Sequence, residues 1–134
     1  MSDSVLKLEK LSKTYTLGKR SVPALSNVNL QVNKGEFVAI MGPSGSGKTT
    51  LLNVLGCLDK PTAGSVLLDG VDVAKMAEKE LYKIRKSKIG FIFQTFNLLP
   101  YLNARENVEL PMEGTTASKS ERKQRASELL GMVG

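Results

Sequence analysis

Apolar and polar residues alternate from Asn27 to Asn33, where Val28, Leu30 and Val32 fall between Asn27, Asn29, Gln31 and Asn33. A period of two predicts a strand of an antiparallel sheet with one wet face. Val5 to Leu11 predicts a second strand. Asn33-Lys34-Gly35 turns the chain into a continuous apolar stretch, and Glu36 to Met41 predicts a strand buried on both faces, as in the middle of a parallel sheet. The period then changes. Leu51, Leu52, Val54, Leu55 and Leu58 share one face of a helix that Pro61 stops. Val66 to Leu68 and Val71 to Val73 flank Asp69-Gly70, a hairpin signal. Leu81, Ile84 and Arg85 recur at helical spacing within Ala77 to Lys86, and Lys88 to Gln94 returns to a strand. Asn103 with Glu106 forms a capping box ahead of a short helix ended by Pro111. A polar linker, Glu113 to Ser120, precedes a last helix ending near Gly131. No internal repeat interrupts this order.

Composition narrows the picture in three ways. The 134 residues, 41% of them hydrophobic, fit one compact domain, and no apolar stretch approaches the ~20 residues of a membrane span. The N-terminal MSDSVLKLEK lacks the apolar core of a signal peptide. One cysteine, Cys57, excludes an internal disulfide and, near Leu55 and Leu58, reads as a small buried hydrophobe. Histidine is absent, which removes imidazole acid–base chemistry. The net charge of +6 invites a nucleic-acid reading. The basic residues, however, are densest in Lys75 to Lys88 and Lys119 to Arg125, interleaved with glutamates and without alternating aromatics. Those are solvated helix faces, and no nucleic-acid partner is expected. A supplementary attraction to ATP or to anionic lipid headgroups fits the same charge.

The specific chemistry lies between the apolar stretch and the first helix. Residues Gly42 to Thr50 read GPSGSGKTT, the pattern G-x-x-x-x-G-K-[ST] of a phosphate-binding loop in its strand–turn–helix setting. Gly42, Gly45 and Gly47 allow left-handed or crowded backbone, so that successive N–H groups turn toward an anion. The helix starting near Lys48 adds its N-terminal N–H groups. Pro43, Ser44, Ser46 and Thr50 complete the binding loop, Lys48 reaches the β- and γ-phosphates, and the Thr49 hydroxyl is placed to ligate Mg²⁺. A dinucleotide fingerprint fails, because it needs glycine where Thr50 stands. Two other matches are refused. Val66-Leu67-Leu68-Asp69 has the form of a strand ending in a Mg²⁺-binding aspartate, but Gly70 makes it a turn. Asn33-Lys34-Gly35-Glu36 echoes a guanine-specificity motif but precedes the loop and ends in glutamate.

A phosphate-binding loop alone is shared by many enzyme classes. Lys13-Thr14-Tyr15, Ala24-Leu25-Ser26-Asn27-Val28, Lys34-Gly35-Glu36, Gly64, Phe93-Gln94 and Leu98-Leu99-Pro100 narrow the choice. With them the chain resembles the N-terminal half of the ATP-binding cassette of ABC transporters over essentially its whole length. GCLDKPTAG and FNLLPYLNARENVELPM look most like the macrolide-exporter and lipoprotein-release subfamily. The resemblance implies an α/β P-loop core with an antiparallel β subdomain to about residue 94, then a Q-loop segment and the start of a helical subdomain over 95–134.

The resemblance also implies ATP and Mg²⁺ as ligands, with Lys48 and Gln94 in catalysis. Tyr15 matches the aromatic residue that stacks on adenine, although it also reads as a half-buried strand-end tyrosine. Gln94 matches the glutamine that faces Mg²⁺ and orients the attacking water, or else caps a strand exit. Thr95 to Tyr101 would report nucleotide state to a partner. Phe96, Leu98 and Leu99 read equally as part of a partner groove or as core. The partners implied are a transmembrane permease subunit and a second cassette that dimerises on ATP binding. The place implied is peripheral, on the cytoplasmic face of the cell membrane. The family's LSGGQ signature, Walker B carboxylates and switch histidine do not occur in these 134 residues. The chain alone is therefore expected to bind nucleotide weakly, to hydrolyse little and to leave strand edges uncovered. A truncated non-catalytic binding module, and a P-loop enzyme of another class such as a kinase, stand as the alternatives.

Overall fold

The computed structural model describes residues 4–134, and residues 1–3 of the expected first region lie outside the described residues. The chain forms two compact units, one running to Phe91 and the other Ile92–Gly134.

The first unit is built on β1 (Ser4–Leu17) and β2 (Arg20–Asn33), paired antiparallel. Both are longer than the alternation predicts. Thr14, Tyr15, Thr16 and Val22 favour extended backbone, and a two-residue turn with Gly18 at φ 60 sets Leu17 opposite Arg20. The sheet order is β2-β1-β3-β4, with β3 (Ala63–Leu68) on the other side of β1 and the short β4 (Val71–Asp72) at the edge. Register puts Leu8 between Leu30 and Val66, and Leu6 between Val32 and Leu68. One apolar stripe thus crosses three strands, and Leu8, Leu11 and Val66 are fully buried. Asn27, Asn29 and Gln31 face water, as the alternation predicts. Asp69 and Gly70 both take positive φ, 48° and 78°, the signature of a tight hairpin turn. Asp69 pairs there with Lys88, so it is a turn residue as the refused Walker B match required.

α1 (Lys48–Leu55) follows the glycine loop and buries Leu51 and Val54 in the core beside Leu25, Val73 and Leu81. It ends earlier than Pro61. Cys57 takes the left-handed position (φ 54), its N–H donates to the Val54 carbonyl (3.1 Å), and the Leu58 N–H donates to the Asn53 carbonyl (2.8 Å). That pair of bonds closes the helix as a Schellman motif, with Gly56 as C-cap. Leu58 therefore lies past the helix, and Leu52 and Leu58 are about half exposed, so the apolar face narrows to Leu51, Val54 and Leu55. Cys57 itself is buried, as expected, and burial pushes its thiol pKa up. α2 (Glu78–Lys88) seats Leu81 in the core and sends Arg85 Nη1 to the Cys57 carbonyl at 2.8 Å.

Two sequence expectations fail. Glu36 to Met41 and Lys88 to Gln94 are not strands, and Lys88 is the last residue of α2. Phe37 is 96% exposed, Met41 90% and Ile92 97%, while Ile40 and Ile89 pack against the core. An apolar run marks a segment that tolerates burial. A strand buried on both faces also needs neighbours at both edges and a covering layer on each side. The sheet of the described residues does not extend to either segment.

The second unit is helical. Asn103 caps α3 (Ala104–Glu109): its Oδ1 accepts the Glu106 N–H at 3.0 Å, and Glu106 accepts the Asn103 N–H at 2.9 Å. Pro111 sits inside a 3₁₀ turn, Leu110–Met112, that prolongs α3. Ser118 and Glu121 form a second capping box for α4 (Lys119–Val133), which packs on α3 and buries Ala126. α4 begins within the segment expected as linker and runs past Gly131. Asn107 holds the preceding loop, accepting the Leu99 N–H (2.8 Å) and donating to the Leu99 and Leu102 carbonyls. Phe96 and Leu98 are exposed and Leu99 is half-buried. No helix of the described residues is long and apolar enough to cross a membrane.

Candidate functional site

The glycine loop leaves Met41 and returns into α1, and its shape is set by two left-handed residues, Gly45 (φ 78) and Gly47 (φ 92). Gly47 is the N-cap of α1, and a β-carbon there would lie 2.6 Å from the Ala24 carbonyl oxygen. Only glycine allows that approach of loop to β2. Gly42 has ordinary φ but is crowded, since a β-carbon would meet Ser46 Oγ at 2.8 Å. The loop is thus fastened at Ala24 and closed on itself by the Ser46 N–H to the Pro43 carbonyl (3.3 Å). Pro43, Ser44, Gly45 and Ser46 are exposed at its rim.

Positive charge gathers at this rim. The Lys48 ammonium crosses the loop, donating to the Gly42 carbonyl at 2.8 Å, the Pro43 carbonyl at 2.6 Å and Ser46 Oγ at 3.3 Å. The first N–H groups of a helix have no partner within it, and they carry the positive end of its dipole. α1 has no acidic residue in its first turn to offset that end. An ammonium and a helix N-terminus within a few residues make a site for a polyanion. Thr49 follows on the first turn of α1 with an exposed side chain, and Thr50 is half-buried. Among the described residues no cluster of three His, Cys, Asp or Glu groups could hold a metal. That is no obstacle for Mg²⁺, which takes one or two protein oxygens and completes its shell with phosphate and water. The Thr49 hydroxyl fits such a ligand.

Tyr15 lies on β1 with its hydroxyl beside Thr50 and donating to Asp59 Oδ2 at 2.8 Å. The strand-end, half-buried tyrosine of the sequence is what the structure contains. Asp59 Oδ1 accepts from the Lys13 ammonium (2.6 Å) and from the Lys60 N–H (2.7 Å). The Lys13 ammonium stands 4.8 Å from the centre of the Tyr15 ring. The hydrogen bond to Asp59, then burial, push the phenol's pKa up. Burial would raise the Asp59 carboxyl, but hydrogen bonds from Lys13, Tyr15 and Lys60 outweigh it and hold it below its ordinary value. Asp59 escapes the sequence reading, because 44 residues separate it from Tyr15 and no spacing rule joins them.

Lys48, Thr49, Thr50 and Tyr15 therefore belong to one unit, with the loop. Gln94 is exposed and belongs to the second unit, so the structure describes it separately from the loop.

Comparison with known proteins follows the same lines. The profile of the family described as ABC transporter matches residues 25–134. The chain is 55% identical over 130 residues to the ABC transporter ATP-binding protein YvrO of Bacillus subtilis, covering 97% of this chain and 57% of that protein. It is 53% identical to the ABC transporter ATP-binding protein MJ0796 of Methanocaldococcus jannaschii, covering 96% of this chain and 56% of the relative. The macrolide export ATP-binding/permease protein MacB of Marinobacter nauticus is 45% identical over 97% of this chain, which covers 20% of that larger protein. Among solved structures, a dimeric post-hydrolysis state of MJ0796 bound to ADP and Pi superposes with a TM-score of 0.85, covering 95% of this chain and 56% of that one. The chain thus spans a little over half the length of YvrO and MJ0796.

Proposed function

The chain belongs to the ABC transporter family, and from that premise we propose that it is the ATP-binding half of a transporter ATPase cassette. The observation that carries this reading is the loop Gly42–Thr50, with the Lys48 ammonium drawn across its mouth at the start of α1. Lys48 and the N-terminal N–H groups of α1 hold the β- and γ-phosphates, and Thr49 supplies a protein oxygen to Mg²⁺. When bound, that ion offsets charge on the phosphates during transfer to water. Tyr15 offers its ring to adenine, and Gln94 is the residue this reading assigns to orienting the attacking water.

In the complete protein a second cassette dimerises on ATP binding, and hydrolysis drives a transmembrane permease subunit from the cytoplasmic side of the membrane. The reading draws on MJ0796, a dimeric cassette, and on MacB, an ATP-binding/permease protein for macrolide export. Export or lipoprotein-type transport is the corresponding substrate class. Exposed Phe96 and Leu98, beside the Asn107-held loop, are the permease-facing residues of this proposal. The 134 residues contain no histidine and no S-G-G-Q sequence, so hydrolysis is assigned to the complete protein.

ATP turnover by the complete protein tests this. Removing one electrostatic stabiliser of a transferring group lowers turnover by about 10²–10³-fold, and Lys48→Ala is expected to lose at least that much. Turnover unchanged in Lys48→Ala would overturn the reading.

A further inference from the structure

Lys13 and Asp59 make no hydrogen bond to the phosphate loop or its lysine, yet both converge on Tyr15. Asp59 comes from the segment just after the Schellman turn of α1, and Lys13 from the same strand as Tyr15. The carboxylate takes the tyrosine hydroxyl on one oxygen at 2.8 Å and the Lys13 ammonium on the other at 2.6 Å. The ammonium also donates to the Lys60 carbonyl at 2.7 Å, and the Lys60 N–H returns to Asp59. The Lys13 side chain is 12% exposed and that of Asp59 29%, so the pair is partly shielded from water. Thr62 fastens the same segment to β1, accepting the Thr14 N–H at 2.9 Å and donating its own N–H to the Ser12 carbonyl at 2.8 Å.

We infer that Lys13 and Asp59 are positioning residues for nucleobase recognition, fixing the Tyr15 ring by its hydroxyl and by one face so that a purine stacks on the other. The inference rests on the stacking role proposed for Tyr15. Its physical basis is preorganisation. A stacking ring that rotates about χ1 and χ2 must be ordered when the base arrives, and that entropy is subtracted from the affinity. A ring held at both its hydroxyl and one face has already lost it. The cation adds a second effect. Aromatic faces are electron-rich and repel one another in a direct sandwich, and an ammonium over the far face of Tyr15 draws that density away from the side the purine meets. The base is recognised here by its π face, with sequence-tolerant stacking rather than edge hydrogen bonds.

The test compares two probes in the complete protein: MgATP, which carries the base, and magnesium tripolyphosphate, which has the phosphates alone. Tyr15→Ala is expected to weaken MgATP binding by roughly 5–100-fold through lost stacking. Asp59→Ala is expected to weaken it by roughly 3–10-fold, the effect of one hydrogen bond on the ring. Neither variant should change tripolyphosphate affinity, and Asp59→Ala should add nothing in the Tyr15→Ala background. Tyr15→Phe keeps the ring and the Lys13–Asp59 pair but removes the hydroxyl; it should weaken MgATP binding by no more than Asp59→Ala does, and it reads out the hydroxyl anchor on its own should Asp59→Ala fold poorly. Tyr15→Ala leaving MgATP affinity unchanged would overturn the stacking role itself. Tyr15→Ala weakened, with Tyr15→Phe and Asp59→Ala at the wild-type value, would overturn the positioning role alone. Equal losses for both probes in Asp59→Ala and Tyr15→Phe would reduce the network to a structural clamp and overturn it as well.

Discussion

Gly47 and Gly45 show how a single β-carbon separates two kinds of loop glycine. Both have left-handed backbone, and an L-residue there costs about 1–2 kcal/mol. Around Gly45 there is open space, whereas at Gly47 the new atom meets the Ala24 carbonyl at 2.6 Å. Gly45→Ala is therefore expected to lower stability by about 1–2 kcal/mol, and Gly47→Ala by clearly more, because overlap adds to the backbone term. Urea midpoints of the two variants check the order, and equal midpoints would contradict it. Asp59 makes a prediction in acid. Its folded carboxyl is depressed, so its contribution is complete above the ordinary carboxylate range and is lost as pH falls through the folded value. The stability difference between wild type and Asp59→Asn should be constant above pH ~5 and shrink below it. A pH-independent difference would mean that the network does not hold the charged form. At this scale the shape of the glycine loop was legible because its residues are consecutive. The Tyr15–Asp59 bond was not, because only the folded chain brings residues 15 and 59 together.

Among the elements, those set by local chemistry were the legible ones. The Asp69-Gly70 hairpin, the Asn103–Glu106 cap and the start of α1 at Lys48 follow from neighbouring residues. The end of α1 misled, since the left-handed capping position is held by Cys57 rather than by a glycine. Glu36 to Met41 and Lys88 to Gln94 misled for a different reason: their apolar runs report what the segments tolerate, while strand pairing depends on neighbours that no local pattern names. In the formed sheet, Leu8 is the element-scale keystone, buried between Leu30 and Val66 in register. Leu8→Ala is expected to destabilise the sheet by about 2–5 kcal/mol. Hydrogen exchange of the β1 and β3 amides checks this. Protection unchanged from wild type would show that β1 does not carry the core.

For the whole molecule, the two units divide the proposed work. In the proposed function the first would hold the phosphates and the base; the second contains Gln94 and an exposed apolar loop. The family and the α/β class were legible from motifs spread along the entire chain, and the family profile over residues 25–134 agrees with them. The net charge of +6 carries no separate function in this account, because its lysines and arginines are dispersed along strands, loops and helices alike. The central claim is that one loop and one lysine make a triphosphate site, and a binding titration reaches it most directly. Calorimetric titration of MgATP into the complete protein should give saturable binding that magnesium tripolyphosphate competes away. Lys48→Ala should weaken it by roughly tenfold or more, the loss of a charge-assisted contact to phosphate. Wild-type affinity in Lys48→Ala, or binding indifferent to tripolyphosphate, would contradict the account.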